Sequence, residues 1–127
     1  MPYEMKPLSC NPGALTGLSE KIIVSHYENN YGGAVKRLNV IEQKLAELDW
    51  ATAPVFVING LKREELIASG SMILHEVYFD SLGASAAPAH LAAQLDRDFG
   101  GLEKWATQFA AMGKALAGGS GWVLLAW

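Results

Sequence analysis

The sequence predicts a mainly α-helical fold that opens on a long antiparallel helical hairpin and continues with two shorter helices and one strand. Three observations predict it. Apolar residues recur every three or four positions over 19–48 and again over 62–82. Two shorter stretches with helical spacing follow, and a short apolar run at 122–127 reads as a strand by its composition.

The composition is that of one ordinary globular chain. It has 127 residues and carries 10 Lys and Arg against 13 Asp and Glu, a formal net charge of −3. Because no basic cluster is available to follow a phosphate backbone, we expect no nucleic-acid partner. The single cysteine, Cys10, excludes a disulfide framework within the chain.

The beginning of the chain and its hydropathy argue against a membrane protein. Pro2, Glu4 and Pro7 interrupt the segment in which a secretory signal needs an unbroken apolar stretch. No window approaches the roughly 18 consecutive apolar residues of a membrane-spanning helix. We therefore expect a cytoplasmic protein that has no membrane partner.

The first predicted helix covers 19–48 and follows an irregular lead-in, 1–17, that is rich in Pro and Gly. Ser19 suits the N-cap, and Glu20 places a carboxylate in the first turn. Gly32-Gly33 predicts a kink or an irregular turn. The inward stripe is spaced by steps of three and four and consists of Ile22, His26, Asn30, Ala34, Leu38, Ile41, Leu45 and Leu48.

The second predicted helix, 62–82, is apolar around most of its circumference, so we expect it to be buried. The preceding residues, 50–61, contain Pro54 and end in Asn59-Gly60, which favours a loop with an extended segment. Gly83 is a typical helix stop. The sequence therefore predicts a helical-hairpin domain over 1–83.

A second part of the chain, 84–127, follows a small-residue linker at 84–88. It is predicted to hold helices over 89–98 and 102–117, separated by Gly100-Gly101.

Two histidines are the main candidates for chemistry. His26 lies on the inward stripe of the first helix, and His75 lies on the inward stripe of the second. We expect their imidazoles to approach within about 10 Å across the hairpin, because neighbouring helices of a bundle aim side chains inward. Two interpretations stay open: a pair of hydrogen-bonded core histidines, or two ligands of one metal ion. His90 is expected to be exposed and is assigned no role.

Carboxylates are expected to add little to such a site. Glu76 lies about 100° around the helix from His75 and is expected to point away from any shared ion. The other candidates by residue type are Glu28, Asp80, Asp96 and Asp98. None completes a convincing ligand set.

Four strings of the sequence resemble the N-terminal part of the iron/manganese superoxide dismutases. They are Ser-Glu-Lys-Ile-Ile-Val-Ser-His-Tyr at 19–27, Ile-Leu-His-Glu-Val-Tyr-Phe at 73–79, Asp-Phe-Gly-Gly-Leu-Glu-Lys-Trp-Ala-Thr-Gln-Phe at 98–109 and Gly-Ser-Gly-Trp at 119–122. The resemblance covers about 15–127. It implies that 84–127 is the incomplete start of a C-terminal α/β domain, with 122–127 as its first strand.

The resemblance also implies an activity, the dismutation of superoxide to dioxygen and hydrogen peroxide at one Fe or Mn, in a homodimer or tetramer. His26 and His75 would be two of four protein ligands, and Trp122 would wall the metal pocket. The other two ligands, an Asp and a His from an Asp-x-Trp-x-His-type segment, are absent from these 127 residues. We therefore expect this chain to be inactive alone.

Three positions depart from the family pattern. The family usually carries a His four residues after the first ligand and a Tyr four residues later, where this chain has Asn30 and Ala34. Iron-type members often place a Gln four residues before the second ligand, where this chain has Ser71. Asn30 is expected to belong to the outer shell of the site. The competing interpretation is a non-catalytic helical interaction module derived from the same fold.

Overall fold

The computed structural model describes residues 1–83 and 88–126, and the chain divides into two compact units, Met1–Gly83 and Ala84–Trp127. The first unit is a helical hairpin and the second holds a pair of shorter helices. The elements in chain order are a 3-10 turn Pro12–Ala14, α1 (Glu20–Ser25), a π-helical turn (His26–Tyr31), α2 (Gly32–Ala46), α3 (Val55–Asp80), α4 (Ala89–Phe99) and α5 (Leu102–Ala115). The mainly α prediction is confirmed.

The first long helix begins where its cap predicts. The Ser19 hydroxyl accepts a hydrogen bond from the Ile22 amide at 3.3 Å, and Glu20 occupies the first turn. From there α1, the π-helical turn and α2 follow without a break to Ala46. The expected irregularity is present, but it lies just before Gly32-Gly33.

The π-helical turn changes which residues face inward. Its hydrogen bonds span five residues instead of four, so the turn holds one more residue than an α-helical turn would. Ile23 and Tyr31 are buried, whereas Ile22 and Asn30, predicted to lie on the inward stripe, are exposed. The prediction is wrong at these two positions because a constant step of three or four cannot follow a wider turn.

The prediction of a loop over 50–61 is wrong for the second half of that segment. α3 begins at Val55, directly after Pro54, whose backbone is extended. The pair Asn59-Gly60 is typical of a turn, yet both residues lie inside the first turns of α3 and face solvent. A glycine inside a helix costs about 1 kcal/mol, and the packing of this 26-residue helix against α2 outweighs that local preference.

The core of the first unit lies between α2 and α3. Its buried side chains are Ile23, Tyr31, Ala34, Val35, Leu38, Ile41, Leu45, Ala68, Met72 and Phe79. The expectation that all of α3 is buried is wrong within this unit. Leu66, Ile73 and Val77 are more than half exposed, because α2 and the π-helical turn contact only one side of the helix.

The second unit confirms both of its predicted helices to within two residues. Gly100 ends α4 in the left-handed conformation, φ 72°, which a residue without a Cβ adopts readily. Residues 122–126 form no strand, because no described segment pairs with them and a strand exists only as part of a hydrogen-bonded ladder. Trp127 and most of the predicted linker, 84–87, lie outside the described residues.

Candidate metal centre

His26 and His75 face each other across the hairpin. His26 opens the π-helical turn, His75 lies on the inner face of α3, and their Nε2 atoms are 3.0 Å apart. The ring centroids are 4.9 Å apart and the rings are nearly perpendicular, at 79°. The predicted approach of the two imidazoles is confirmed, at a distance well inside the expected limit.

The hydrogen bonds of His75 define its tautomer. Nδ1 lies 2.7 Å from the backbone carbonyl oxygen of Ser71 and 3.3 Å from the Ser71 hydroxyl oxygen. Since a carbonyl oxygen only accepts, Nδ1 carries the proton and donates it. The lone pair of Nε2 on His75 is therefore directed at His26, whose Nε2 donates the hydrogen bond between the rings.

Burial favours the neutral form of His26. His75 is only 6% exposed, and His26 is partly buried. Removal from water lowers the pKa of His26 below its usual 6.5, and the neighbouring His75 adds to this effect. Near neutral pH His26 is therefore uncharged, which is the state that a metal ligand requires.

Tyr31 is a third residue of the site that sequence reasoning missed. Its side chain is 1% exposed, and its ring lies at 25° to that of His75 with the centroids 6.3 Å apart. Burial raises the pKa of Tyr31. The helical spacing placed Asn30 inward instead, and only the π-helical turn explains why the next residue takes that place.

Glu76 holds Tyr31 from the neighbouring position on α3. The Tyr31 hydroxyl donates to Glu76 Oε1 at 2.9 Å, and Lys6 forms an ion pair with Oε2 of the same carboxylate. The hydrogen bond to Glu76, together with its charge, raises the pKa of Lys6. These contacts occupy both Glu76 oxygens. The carboxylate therefore serves Tyr31 and Lys6 rather than an ion shared by the histidines.

The three positions that depart from the family pattern line one cavity. Asn30, Ala34 and Ser71 border a space of about 330 Å³ between the first long helix and α3, together with Arg37 and Ala68. Asn30 also borders a second, more open depression of about 630 Å³ that reaches His26. Asn30 therefore lies between the solvent and the histidine pair, although it is not packed against them as Tyr31 is.

The remaining predicted residues belong to the second unit. His90 is exposed at the start of α4, as expected. Trp122 belongs to the second unit and is partly buried, and its role in a metal pocket stays a prediction. Among residues 1–83 and 88–126, no three His, Cys, Asp or Glu side chains come together in a way that could hold a metal ion.

The geometry of the histidine pair fits two ligands of one metal ion. Two nitrogens at about 2.1 Å from a common ion and 3.0 Å from each other subtend roughly 90°. The bond from His75 to the Ser71 carbonyl is the usual way in which a protein orients a ligating imidazole. His26 would coordinate through Nε2 in the tautomer that carries its proton on Nδ1.

Comparison with known proteins also indicates a similarity to the iron/manganese superoxide dismutases. The family model of the C-terminal domain of the iron/manganese superoxide dismutases matches residues 87–127. In the part of the chain that the structure describes, no helix is long and apolar enough to cross a membrane.

Three curated relatives extend the similarity to the first unit. An iron superoxide dismutase of Cupriavidus metallidurans is 71% identical over 126 residues, which is 98% of this chain and 64% of the relative. One of Aquifex pyrophilus is 32% identical over 122 residues, 90% of this chain and 56% of the relative. A mitochondrial manganese superoxide dismutase of Charybdis feriata is 32% identical over 107 residues, 83% of this chain and 47% of the relative.

The chain thus spans between about half and two thirds of the length of these relatives. The similarity includes members named for iron and members named for manganese. It confirms the resemblance that the four sequence strings indicate. Over nearly its whole length, the chain is therefore similar to members of the iron/manganese superoxide dismutase family.

Proposed function

We propose that this chain provides two ligands, His26 and His75, of a mononuclear Fe or Mn centre that dismutates superoxide. The observation that carries the proposal is the 3.0 Å separation of their Nε2 atoms, on residues 49 positions apart. When bound, the metal would supply a one-electron couple between its 3+ and 2+ states, which oxidises one superoxide to dioxygen and, with the uptake of two protons, reduces another to hydrogen peroxide.

The residues around the pair have separate roles in this proposal. Ser71 orients His75 through its carbonyl oxygen, and the Phe79 ring, 5.4 Å from His26, keeps that side of the pair dry. Asn30 borders the opening toward solvent. It can donate or accept a hydrogen bond but does not titrate near neutral pH, so any proton that passes there moves by way of water.

The described residues alone do not complete the site. Hard, redox-cycling ions need oxygen or further nitrogen ligands in addition to two imidazoles. We propose that these are the Asp and His of the segment that the resemblance implies, and that the 127-residue chain alone is inactive. The family-model match at 87–127 supports reading 84–127 as the start of the C-terminal α/β domain. Trp122 as a pocket wall and a homodimer or tetramer belong to the same proposal.

A chimera tests the proposal. This chain would be joined to the portion of the Cupriavidus metallidurans relative that the similarity leaves uncovered, and the product assayed for bound metal and dismutase turnover. We expect about one Fe or Mn per chain and activity. His26→Ala and His75→Ala should each lose both, whereas His90→Ala, at an exposed histidine outside the pair, should retain both.

The alternative, a non-catalytic helical interaction module, predicts a different result. A folded chimera that holds no metal and has no turnover would support it and contradict our proposal. The present observations favour the enzyme, because both histidines face each other and the relatives are named as superoxide dismutases.

A further inference from the structure

The N-terminal segment 3–6, called the strap here, is fixed along the helices that carry the histidines. Tyr3 and Asn39 of α2 exchange two hydrogen bonds: the Tyr3 amide donates to Asn39 Oδ1 at 2.7 Å, and the Asn39 amide group donates to the Tyr3 carbonyl at 2.9 Å. Met5 packs where Gly32 has no side chain, since a Cβ there would lie 3.0 Å from the Met5 sulfur. The strap is therefore an ordered part of the first unit.

Lys6, at the end of the strap, binds both tyrosines of the π-helical turn. Its carbonyl accepts from the Tyr27 hydroxyl at 2.7 Å, and its amide donates to the Tyr31 hydroxyl at 2.9 Å. Its ammonium pairs with Glu76, which also accepts from Tyr31. The Tyr31 hydroxyl is thus held between the strap and α3.

Tyr31 contacts two consecutive residues of α3. Its hydroxyl binds Glu76, and its ring lies against the imidazole of His75. Because the side chain is 1% exposed and both of its ends are in contact, its position is fixed by its surroundings. The side chain whose hydroxyl binds Glu76 is thus also the one whose ring contacts His75.

We propose that Tyr31, held by Lys6 and Glu76, is a positioning residue that fixes the imidazole of His75 for metal binding. The inference rests on the proposed function, since it assigns a role toward the same metal. Partners that orient a ligating histidine commonly change metal affinity 10- to 100-fold when they are removed.

Tyr31→Phe in the chimera of the proposed function tests this, because it keeps the ring and removes only the hydroxyl. With Co²⁺ as the probe, titrated by its visible absorption, we expect an affinity about ten-fold weaker than that of the chimera without substitutions. Tyr3→Phe is the matched control, since Tyr3 binds Asn39 through backbone atoms, and its affinity should be unchanged. Glu76→Gln keeps an oxygen that accepts from the Tyr31 hydroxyl, so this variant should retain most of the Co²⁺ affinity of the unaltered sequence.

A metal-free measurement separates positioning from simple stabilisation. In the unaltered chain, ¹⁵N NMR should show His75 with its proton on Nδ1, as its bond to the Ser71 carbonyl requires. Tyr31→Phe should shift these ring nitrogens toward a tautomer mixture, and Tyr3→Phe should not. Unchanged nitrogens and a Co²⁺ affinity within two-fold of that of the chimera without substitutions would overturn the inference, even if the unfolding midpoint falls.

The two proposals fail in different ways. If the chimera without substitutions binds no Co²⁺, the metal site of the proposed function is contradicted. The nitrogen shifts of His75 then decide the positioning role alone, since they are measured without metal. If Co²⁺ binds with equal affinity to both tyrosine variants, the metal site stands and the role of Tyr31 is contradicted.

Discussion

The Nε2 atoms of His26 and His75 lie 3.0 Å apart although 49 residues separate them in the chain. This contact depends on the aromatic cluster around it. The Phe79 ring lies within 5.4 to 6.2 Å of the rings of His26, Tyr27, Tyr31 and His75. One buried side chain on α3 therefore supports both sides of the histidine pair.

Phe79→Ala should destabilise the first unit by about 3–5 kcal/mol, because it removes a large buried ring and leaves a cavity that its neighbours fill only in part. Because Phe79 is only 3% exposed, the substitution removes nearly all of the contact area that its ring buries. Chemical denaturation followed by helical circular dichroism measures it. Phe56→Ala on the same helix, where the ring is 74% exposed, is the control and should stay within about 0.5 kcal/mol. Equal effects at the two positions would contradict the described core.

Deletion of Asn29 should separate the histidines. Asn29 is exposed within the π-helical turn, and removing one residue there lets the turn become α-helical. His26 would then rotate by about 100° relative to α2 and leave His75. We expect Co²⁺ binding to fall at least ten-fold, as for loss of a ligand partner. Asn29→Ala keeps the residue count and should bind normally; weakened binding in that variant would implicate the side chain instead of the turn.

The sequence was sufficient to predict the histidine pair but not its neighbour Tyr31. His26 and His75 lie on separate apolar stripes, and a hairpin brings such stripes together. Tyr31 faces inward only because of the π-helical turn, and turns of that kind leave no mark in a three-or-four-residue repeat. Local spacing therefore identifies the histidine pair but misses the residue that the irregular turn displaces.

At two other places the structure differs from the prediction for a common reason. The conformation that a short segment prefers by its own residues competes with the contacts made by distant parts of the chain. Asn59-Gly60 is typical of a turn, yet it lies in α3 because the rest of that helix packs on α2. The run 122–126 has the composition of a strand, yet it forms no ladder among the described residues. Neither the packing partner nor the pairing partner is encoded within the segment itself.

The free energy of unfolding should decrease at acid pH as the carboxylate of Asp49, in the connection between α2 and α3, becomes protonated. Hydrogen bonds from the Thr52 hydroxyl, at 2.6 Å, and from the Ala51 amide, at 3.0 Å, lower the pKa of the Asp49 carboxyl below its usual 3.8. A lowered folded-state pKa contributes stability that is fully present above the unfolded value and is lost as pH falls through the folded value. Asp49→Ala should therefore lower the unfolding midpoint at pH 7, and the difference should narrow as the pH falls below 3.8.

Asp49→Asn separates charge from hydrogen bonding at that turn. Its one side-chain oxygen still accepts from the Ala51 amide, whereas an amide nitrogen takes the place of the oxygen that accepts from Thr52. The midpoint at pH 7 should therefore lie between those of the unaltered chain and Asp49→Ala. A gap between the unaltered chain and Asp49→Ala that is constant from pH 7 to pH 2 would show that ionisation of this carboxyl does not contribute.

Restoring the family residues at positions 30 and 34 should change how the completed enzyme responds to pH. Asn30 and Ala34 border the same cavity of about 330 Å³, so the larger side chains of Asn30→His with Ala34→Tyr enter existing space. A histidine at position 30 titrates near neutral pH, which asparagine does not, and it would add a proton donor beside the opening that reaches His26. The pH profile of dismutase turnover, measured on the chimera with and without both substitutions, should therefore gain an inflection between about pH 6 and 8.

The single Ala34→Tyr variant fills the cavity without adding a group that titrates in this range, and it should keep the original profile there. If the double variant keeps that profile as well, position 30 does not exchange protons with the site, and the alignment of this helix with the family pattern is contradicted.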